Sequence, residues 1–418
     1  MTALPDNDEY ENARQSRDPR FDGRFFVAVL TTGIYCRPVC PVRIPKRENV
    51  QLYRSAAGAA EAGFRPCLRC RPESSPGTPA WIGAPYKVSK ALHLIARGNL
   101  DGSSVEALAG QLSIGPRQLS RLFQQHVGAS PVAVAQTQRL HFAKKLLDET
   151  NLPLAQVCFA AGFGSLRRFN AVFQSTYART PKELRKGRQG SKQLHGEGIQ
   201  VLLAYRPPLD WRSMLAYLDY RMIPGVEYID LQRNAYARTI AIGESVGDIC
   251  VVFSKKEHAA ILHINFPDTR YLYHIVEKVR LLFDLKADSE EIERFLSRDP
   301  LLKKIIAKNP GTRVTGCWDG LEVTVRAILG QQVTVKAATT LAGRVVERHG
   351  ETYSCSSAHL NRIFPSAMTL GDADLDGLGI VGQRIAAIKA MAVMVERKEI
   401  DFTGAEETDE FVARVCEI

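Results

Sequence analysis

Long apolar runs are missing from this 418-residue chain. No stretch approaches the ~20 residues that a membrane-spanning helix needs, which excludes the helical integral-membrane classes. Residues 1–20 are acidic and polar and carry no apolar core of a secretory leader, so a cytoplasmic, nucleoid-associated location is expected. An acidic excess is also missing. Lys and Arg number 55 against 45 Asp and Glu, and the net charge of +10 favours an anionic polymer as partner. Binding to an anionic membrane surface has little support, because no basic amphipathic helix stands alone. A disulfide framework is excluded too. The nine cysteines are an odd number, four clustered and five (Cys158, Cys250, Cys317, Cys355, Cys416) scattered singly. That pattern fits a reducing compartment and one metal site.

The cluster is Cys36, Cys40, Cys67 and Cys70, written C-R-P-V-C, a gap, then C-L-R-C. Two short spacers around a long loop make the ligand pattern of a tetrahedral Zn2+ site. Arg37, Arg43, Lys46, Arg47, Arg65, Arg69 and Arg71 crowd around it. Two readings follow: a closed structural zinc ribbon resting on nucleic acid, or a reactive thiolate aimed at a phosphate. Four thiolates around one Zn2+ carry a formal charge of about −2, which makes a sulfur unusually nucleophilic toward a soft carbon such as an alkyl group on a DNA phosphate oxygen. Transfer would neutralise one thiolate, lower repulsion against other phosphates and tighten DNA binding, so that the reaction doubles as a switch.

The chain divides into four expected domains. Residues 1–79 hold the cysteines, with one strand candidate over 25–31, and 72–85 read as a Pro/Gly/Ser linker. Residues 86–186 have helical periodicity throughout. Val105, Leu108, Ala109 and Leu112 form one apolar face, a turn at Ser113-Ile114-Gly115-Pro116 follows, and a second helix carries Leu119, Leu122 and Phe123 inward with Arg117, Gln118 and Arg121 outward. This helix-turn-helix plan recurs over 154–177 around Gly162-Phe163-Gly164, with Arg167, Arg168 and Asn170 near the start of its second helix. A helix over 136–149 joins the two units. After a polar linker over 186–198 comes a β-rich domain over 199–286 and a helical one over 287–418: residues 199–266 read as strands, chiefly over 200–204, 239–242 and 249–253, and the chain is helical from 271 onward. The fold class is therefore multidomain α+β: a small zinc domain, an all-α double helix-turn-helix domain, then a small antiparallel sheet and a helical region.

Three resemblances sharpen these readings. The runs D-G-R-F-F-V-A-V, T-T-G-I-Y-C-R-P-V-C, R-E-N-V and A-G-F-R-P-C-L-R-C-R-P resemble the N-terminal domain of the bacterial adaptive-response (Ada) family over roughly residues 8–75. The resemblance implies removal of methyl groups from DNA methylphosphotriesters, with Cys36 as the irreversible acceptor and Cys40, Cys67 and Cys70 completing the zinc shell. It places Thr32, Arg43, Arg65 and Arg69 at the DNA backbone; the extra prolines of P-V-R-I-P after Cys40 depart from the pattern. Residues 87–185 resemble the AraC-type regulator domain, on L-S-R-L-F-Q-Q-H-V-G-A-S-P-V and A-A-G-F-G-S-L-R-R-F-N-A-V-F-Q-S-T-Y-A-R-T-P-K-E-L-R. That resemblance implies that both second helices enter major grooves, with Arg117, Gln118, Arg121, Arg167, Arg168 and Asn170 as the candidate contacts to double-stranded promoter DNA, and RNA polymerase as a partner. Each of these arginines could equally be a phosphate clamp or part of a solvated face.

From residue 199 onward the chain resembles the AlkA-type glycosylases of the helix-hairpin-helix superfamily, most strongly over V-R-A-I-L-G-Q-Q-V, where Gln331 falls in the flipped-base pocket. Such enzymes need a catalytic aspartate and a P-G-I-G-type hairpin. Neither is visible: Leu378-Gly379-Ile380-Val381-Gly382 matches the helix entry upstream, and Asp401 and Asp409 come too early. The expectation is a fragment of a longer protein or an inactive glycosylase half, with no base excision by these 418 residues. The P-C-H-R-type acceptor for O6-alkylguanine is absent as well. Two alternatives to a repair methyltransferase that is also an activator remain: a zinc-bearing regulator without chemistry, and a plain base-excision glycosylase.

Overall fold

A computed structural model describes residues 4, 8–76, 86–96, 98–100, 103–186, 198–400, 402 and 408–416. The cysteine segment opens with helix α1 (Asp8–Ser16), then builds a four-stranded sheet in the order β3-β1-β2-β4 from β1 (Phe26–Val29), β2 (Ile34–Cys36), β3 (Val50–Tyr53) and β4 (Arg65–Pro66). A short helix, α2 (Ala56–Glu61), crosses it, and its first turn is capped by the Ser55 hydroxyl, which accepts from the Gly58 amide at 3.0 Å. Strand β1 is shorter than the 25–31 run because Thr32 and Gly33 turn back onto Val29, with Gly33 at φ +65°.

The helical segment comprises α3 (Tyr86–Ala96), α4 (Val105–Gln111), α5 (Pro116–His126), α6 (Pro131–Glu149), α7 (Leu154–Ala160), α8 (Leu166–Tyr177) and α9 (Pro181–Lys186). Both helix-turn-helix units form, as α4–α5 and α7–α8. Their turns differ in chemistry. Gly162 takes the left-handed conformation (φ +76°) in the second, but in the first it is Ser113 (φ +51°), while Gly115 has an ordinary φ of −75° and caps α5. The inward placing of the first unit holds, with Leu119 and Phe123 fully buried and Leu122 packed against the core; Phe169 and Phe173 are the buried counterparts in the second unit. The joining helix α6 starts at Pro131, five residues ahead of the expected 136. Ser130 accepts from the Ala133 amide at 3.2 Å and Pro131 occupies the first turn, where its missing N–H costs nothing.

Helix α6 is the central strut. Its first half joins the core of α3–α5 and its second half joins one continuous core with α7–α9 and a five-stranded antiparallel sheet. That sheet, in the order β5-β9-β8-β7-β6, contains β5 (Ile199–Ala204), β6 (Glu227–Asp230), β7 (Ala235–Ile242), β8 (Ser245–Ser254) and β9 (Ala259–Asn265). The three expected strands form. The all-strand reading over 199–266 needs one correction: α10 (Trp211–Asp219) interrupts it, started by the Asp210 carboxylate accepting from Ser213 and driven inward by Met214, Leu215 and Leu218. The linker reading over 72–85 is corrected at its start, since Pro72, Glu73, Ser75 and Pro76 are buried; 77–85 and most of the second linker, 187–197, lie outside the described residues.

Beyond the sheet come α11 (Leu272–Leu282), α12 (Ser289–Leu296), α13 (Pro300–Lys308), α14 (Gly320–Leu329), α15 (Val335–His349), α16 (Ala367–Asp372), α17 (Gly382–Glu396) and α18 (Thr408–Cys416). A buried polar network ties α14 to the sheet. Arg238 donates to Glu322 at 2.6 Å, Arg326 to Glu227 at 3.0 Å and Tyr236 to Glu227 at 2.7 Å. Burial alone would raise the Glu227 carboxyl, but Arg238 and Arg326 override it and hold it below its ordinary value.

Candidate metal centre and nucleic-acid interface

Sheet pairing assembles the metal site. Strand β2 ends on Cys36 and runs parallel to β4, so that the Cys67 amide donates to the Tyr35 carbonyl at 3.0 Å, bringing residues 36 and 67 side by side. Short turns then return Cys40 and Cys70, with the Cys40 amide bonded to Arg37 O at 3.1 Å. All four Sγ atoms lie within 4.8 Å of one another. A tetrahedron with Zn–S bonds of about 2.3 Å has sulfurs about 3.8 Å apart, so the set fits one zinc ion. The four residues are 6–7 % exposed and sit in one core with Ala13, Phe21, Phe25, Val27 and Leu52.

The sulfurs are not equivalent. Cys70 Sγ accepts the Arg37 amide at 3.3 Å, a backbone hydrogen bond onto the metal set.

The crowd of arginines splits in two. Thr32, in the β1–β2 turn, Arg65 on β4, and Arg43 and Arg69 in the ligand loops are all exposed. Arg37 and Arg71 turn inward instead. Arg37 pairs with Asp22, and Arg71 with Asp148 at 2.9 Å, Glu149 at 3.4 Å and Glu73 at 3.5 Å. Arg37 braces the metal segment internally and Arg71 ties it to α6, so neither is available to a phosphate. Glu73, almost wholly buried, is pushed up by burial against the pull of Lys144.

The metal segment is fastened onto the helices. Tyr35, next to Cys36, bonds His141 of α6 at 2.9 Å; Ser55 bonds the Val127 carbonyl at 2.8 Å; Glu61 accepts from the Ser130 hydroxyl at 2.8 Å and from its amide at 3.2 Å, helping to cap α6. Burial, with the Lys144 ammonium nearby, pulls His141 down to about 4, so at neutral pH it is the uncharged imidazole that meets Tyr35. These links, and the Asp22–Arg37 pair, escaped the sequence reading; Asp22 stands in the D-G-R run that already carried a resemblance, which was the one signal pointing to it.

On the helix-turn-helix units, Arg117, Gln118 and Arg121 of α5 and Arg167, Arg168 and Asn170 of α8 all face outward, opposite the buried Leu119–Phe123 and Phe169–Phe173 faces. Gln331 is exposed just past α14, where Arg384 from the first turn of α17 donates to its carbonyl at 2.6 Å. Gln332, beside it, holds a left-handed conformation (φ +53°). No described helix is long and apolar enough to cross a membrane.

Three families match in order along the chain: the metal binding domain of Ada over residues 9–73, a helix-turn-helix domain over 108–187 and the AlkA N-terminal domain over 200–319. The four buried cysteines inside the first of these are a zinc site. A probable bifunctional transcriptional activator/DNA repair enzyme AlkA from Mycobacterium tuberculosis is 38 % identical over 400 residues, covering 94 % of this chain and 80 % of that protein. The bifunctional transcriptional activator/DNA repair enzyme AdaA of Bacillus subtilis is 32 % identical over 43 % of this chain and 82 % of its own length. DNA-3-methyladenine glycosylase 2 of Escherichia coli is 30 % identical over 45 % of this chain and 64 % of its own. With zinc segment, paired helix-turn-helix units and glycosylase-like sheet in one continuous match, the chain belongs to the Ada/AlkA family of bifunctional transcriptional activators and DNA repair enzymes.

Proposed function

We propose that the metal segment repairs methylphosphotriesters in duplex DNA by taking the methyl group onto Cys36, once per chain, and that the methylated protein then activates transcription. The observation that carries this is the set of four sulfurs within 4.8 Å of one another, bordered by exposed Thr32, Arg43, Arg65 and Arg69. An N–H···S hydrogen bond stabilises a thiolate and lowers its nucleophilicity. Cys70 accepts one from the Arg37 amide at 3.3 Å. Bound zinc keeps the sulfurs as thiolates at neutral pH. At 6 % exposure Cys36 is reached only by a methyl group set directly over the sulfur, and exposed Thr32, Arg43, Arg65 and Arg69 are the groups that would hold the backbone there. The sulfur attacks the methyl carbon, the S–C bond forms as the C–O bond breaks, and the electron pair stays on oxygen as an ordinary phosphodiester.

Loss of one thiolate charge leaves the site less repulsive to DNA, which strengthens promoter binding through the outward residues of α5 and α8. An activator seated there meets RNA polymerase, in the cytoplasm at the nucleoid. The test is peptide mapping after exposure to methylphosphotriester DNA. One methyl on Cys36 is expected; no methyl, or a methyl elsewhere, sinks the reading.

For the glycosylase-like half the proposal is duplex binding without base excision. Excision needs a carboxylate beside the flipped sugar, and Asp401 and Asp409 follow the Leu378–Gly382 turn too closely to serve. Release of free 3-methyladenine from methylated duplex DNA by this chain would overturn that.

A further inference from the structure

The turn around Asp22 connects the metal site to the glycosylase-like half. Arg206, which follows β5, is 1 % exposed; its Nε donates to the Asp22 carbonyl at 2.9 Å and its Nη1 to the Lys286 carbonyl at 2.6 Å. Two residues on from Asp22, Arg24 pairs with Asp288 and, at 3.3 Å, with Glu290, and lies over the Phe21 ring at 4.5 Å. Asp22 is thus fixed from both sides, and it is itself 4 % exposed. Its carboxylate reaches back to the metal loop, with Arg37 Nε 2.9 Å from Oδ1 and 3.1 Å from Oδ2. Arg37 completes the path: Nη1 donates to the Cys70 carbonyl at 3.1 Å and its own amide to Cys70 Sγ at 3.3 Å. Burying Arg206 opposes its charge and pulls it down to about 10, a cost that a surface lysine or serine would avoid.

We propose that Asp22 and Arg206 are positioning residues that keep the Arg37 amide on Cys70 and so confine methyl acceptance to Cys36. The inference rests on the methyl-acceptor reading above. Each sulfur of the set is a candidate nucleophile, and the backbone amide on Cys70 is what lowers its reactivity relative to Cys36. That amide has no side chain of its own to hold it; it is held because the Arg37 guanidinium is clamped between Asp22 and the Cys70 carbonyl. Arg206 fixes Asp22, so a residue of the glycosylase-like half governs which zinc-bound sulfur reacts. This gives the fusion of the two halves a chemical consequence that neither half has alone.

The test uses the full chain loaded with zinc and limiting iodomethane as the probe, in which the sulfur attacks carbon and iodide leaves with the bonding pair. No DNA is needed, so a defect in DNA binding does not enter. Peptide mapping of the native protein is expected to find the methyl on Cys36. In Asp22→Asn and Arg206→Met the share on Cys70 relative to Cys36 rises about fivefold, the weight of one ordinary hydrogen bond, with one zinc per chain retained. Arg206→Lys, which keeps a cation and one donor, falls between. Variants that keep zinc and still take methyl only on Cys36 overturn the proposal. So does loss of zinc in both Asp22→Asn and Arg206→Met, which would make the two residues supports of the site and not selectors of a sulfur. A native chain methylated on Cys36 by iodomethane but inert to methylphosphotriester DNA defeats the methyl-acceptor reading alone.

Discussion

Stripping the zinc with a chelator is expected to unfold the segment from Asp8 to Pro76 while the five-stranded sheet stays folded. The cluster around the metal has nine buried residues, and four of them are the ligands. Without the ion the four thiols have only one another and a few amides as partners, inside a core too small to stand alone. Structural zinc binding contributes about 10–16 kcal/mol at neutral pH, against a net stability of about 5–15 kcal/mol for a whole domain. The anchors to the helices cannot replace it: the Tyr35–His141 and Ser55–Val127 hydrogen bonds contribute about 1 kcal/mol each. Hydrogen exchange reads the outcome. Protection of β1 and β2 should vanish with the metal, while β7 and β8, in the separate large core, keep theirs. Undiminished protection of β2 in metal-free protein would refute this.

Replacing Cys36 alone with serine should have the opposite profile: zinc and fold largely kept, methyl uptake lost. The other three ligands, Cys40, Cys67 and Cys70, remain. A serine hydroxyl is neutral and hard where the thiolate was charged and soft, and removing a nucleophile outright lowers the rate by at least about a thousandfold. The same variant has a second expected property. A neutral hydroxyl in place of a thiolate removes one negative charge, the change that methylation itself produces. Undamaged promoter DNA should therefore bind the Cys36→Ser protein about fivefold more tightly than the unmethylated native chain, since one charge within about 8 Å of a phosphate at an effective dielectric near 40 is worth about 1 kcal/mol. The gain should shrink as salt is added. Equal affinities at low salt would separate the repair chemistry from the switch and leave the switch unexplained.

Burial decides which residues of the cysteine segment carry these effects. Arg37, Arg43, Arg65, Arg69 and Arg71 look alike along the chain, yet Arg43, Arg65 and Arg69 face solvent while Arg37 binds Asp22 of its own segment and Arg71 binds carboxylates of α6. No local pattern distinguishes them, because Asp148 and Glu149 lie on α6, more than seventy residues along the chain from Arg71. The same holds for Lys144 and Lys145, polar in the α6 pattern but buried against Asp148 and Glu149. Helix α10 was within reach of the sequence: Asp210 three residues ahead of Ser213, then Met214, Leu215 and Leu218, is a cap and an apolar stripe. The strands on either side mask it.

Features written in short range are legible in the chain alone. The ligand spacing fixed the zinc site, since two close pairs of cysteines can meet one tetrahedral ion however the loop between them runs. The apolar periodicity fixed both helix-turn-helix units and the outward placing of Arg117, Gln118, Arg121, Arg167, Arg168 and Asn170. Packing between distant segments, by contrast, set the Arg37 amide on Cys70 Sγ, left Arg43, Arg65 and Arg69 exposed, and brought Arg206 across to Asp22. Those outcomes depend on where a donor lies relative to an acceptor to within a few tenths of an ångström. Packing between segments nearly two hundred residues apart sets that distance, as the 184-residue separation of Arg206 and Asp22 shows.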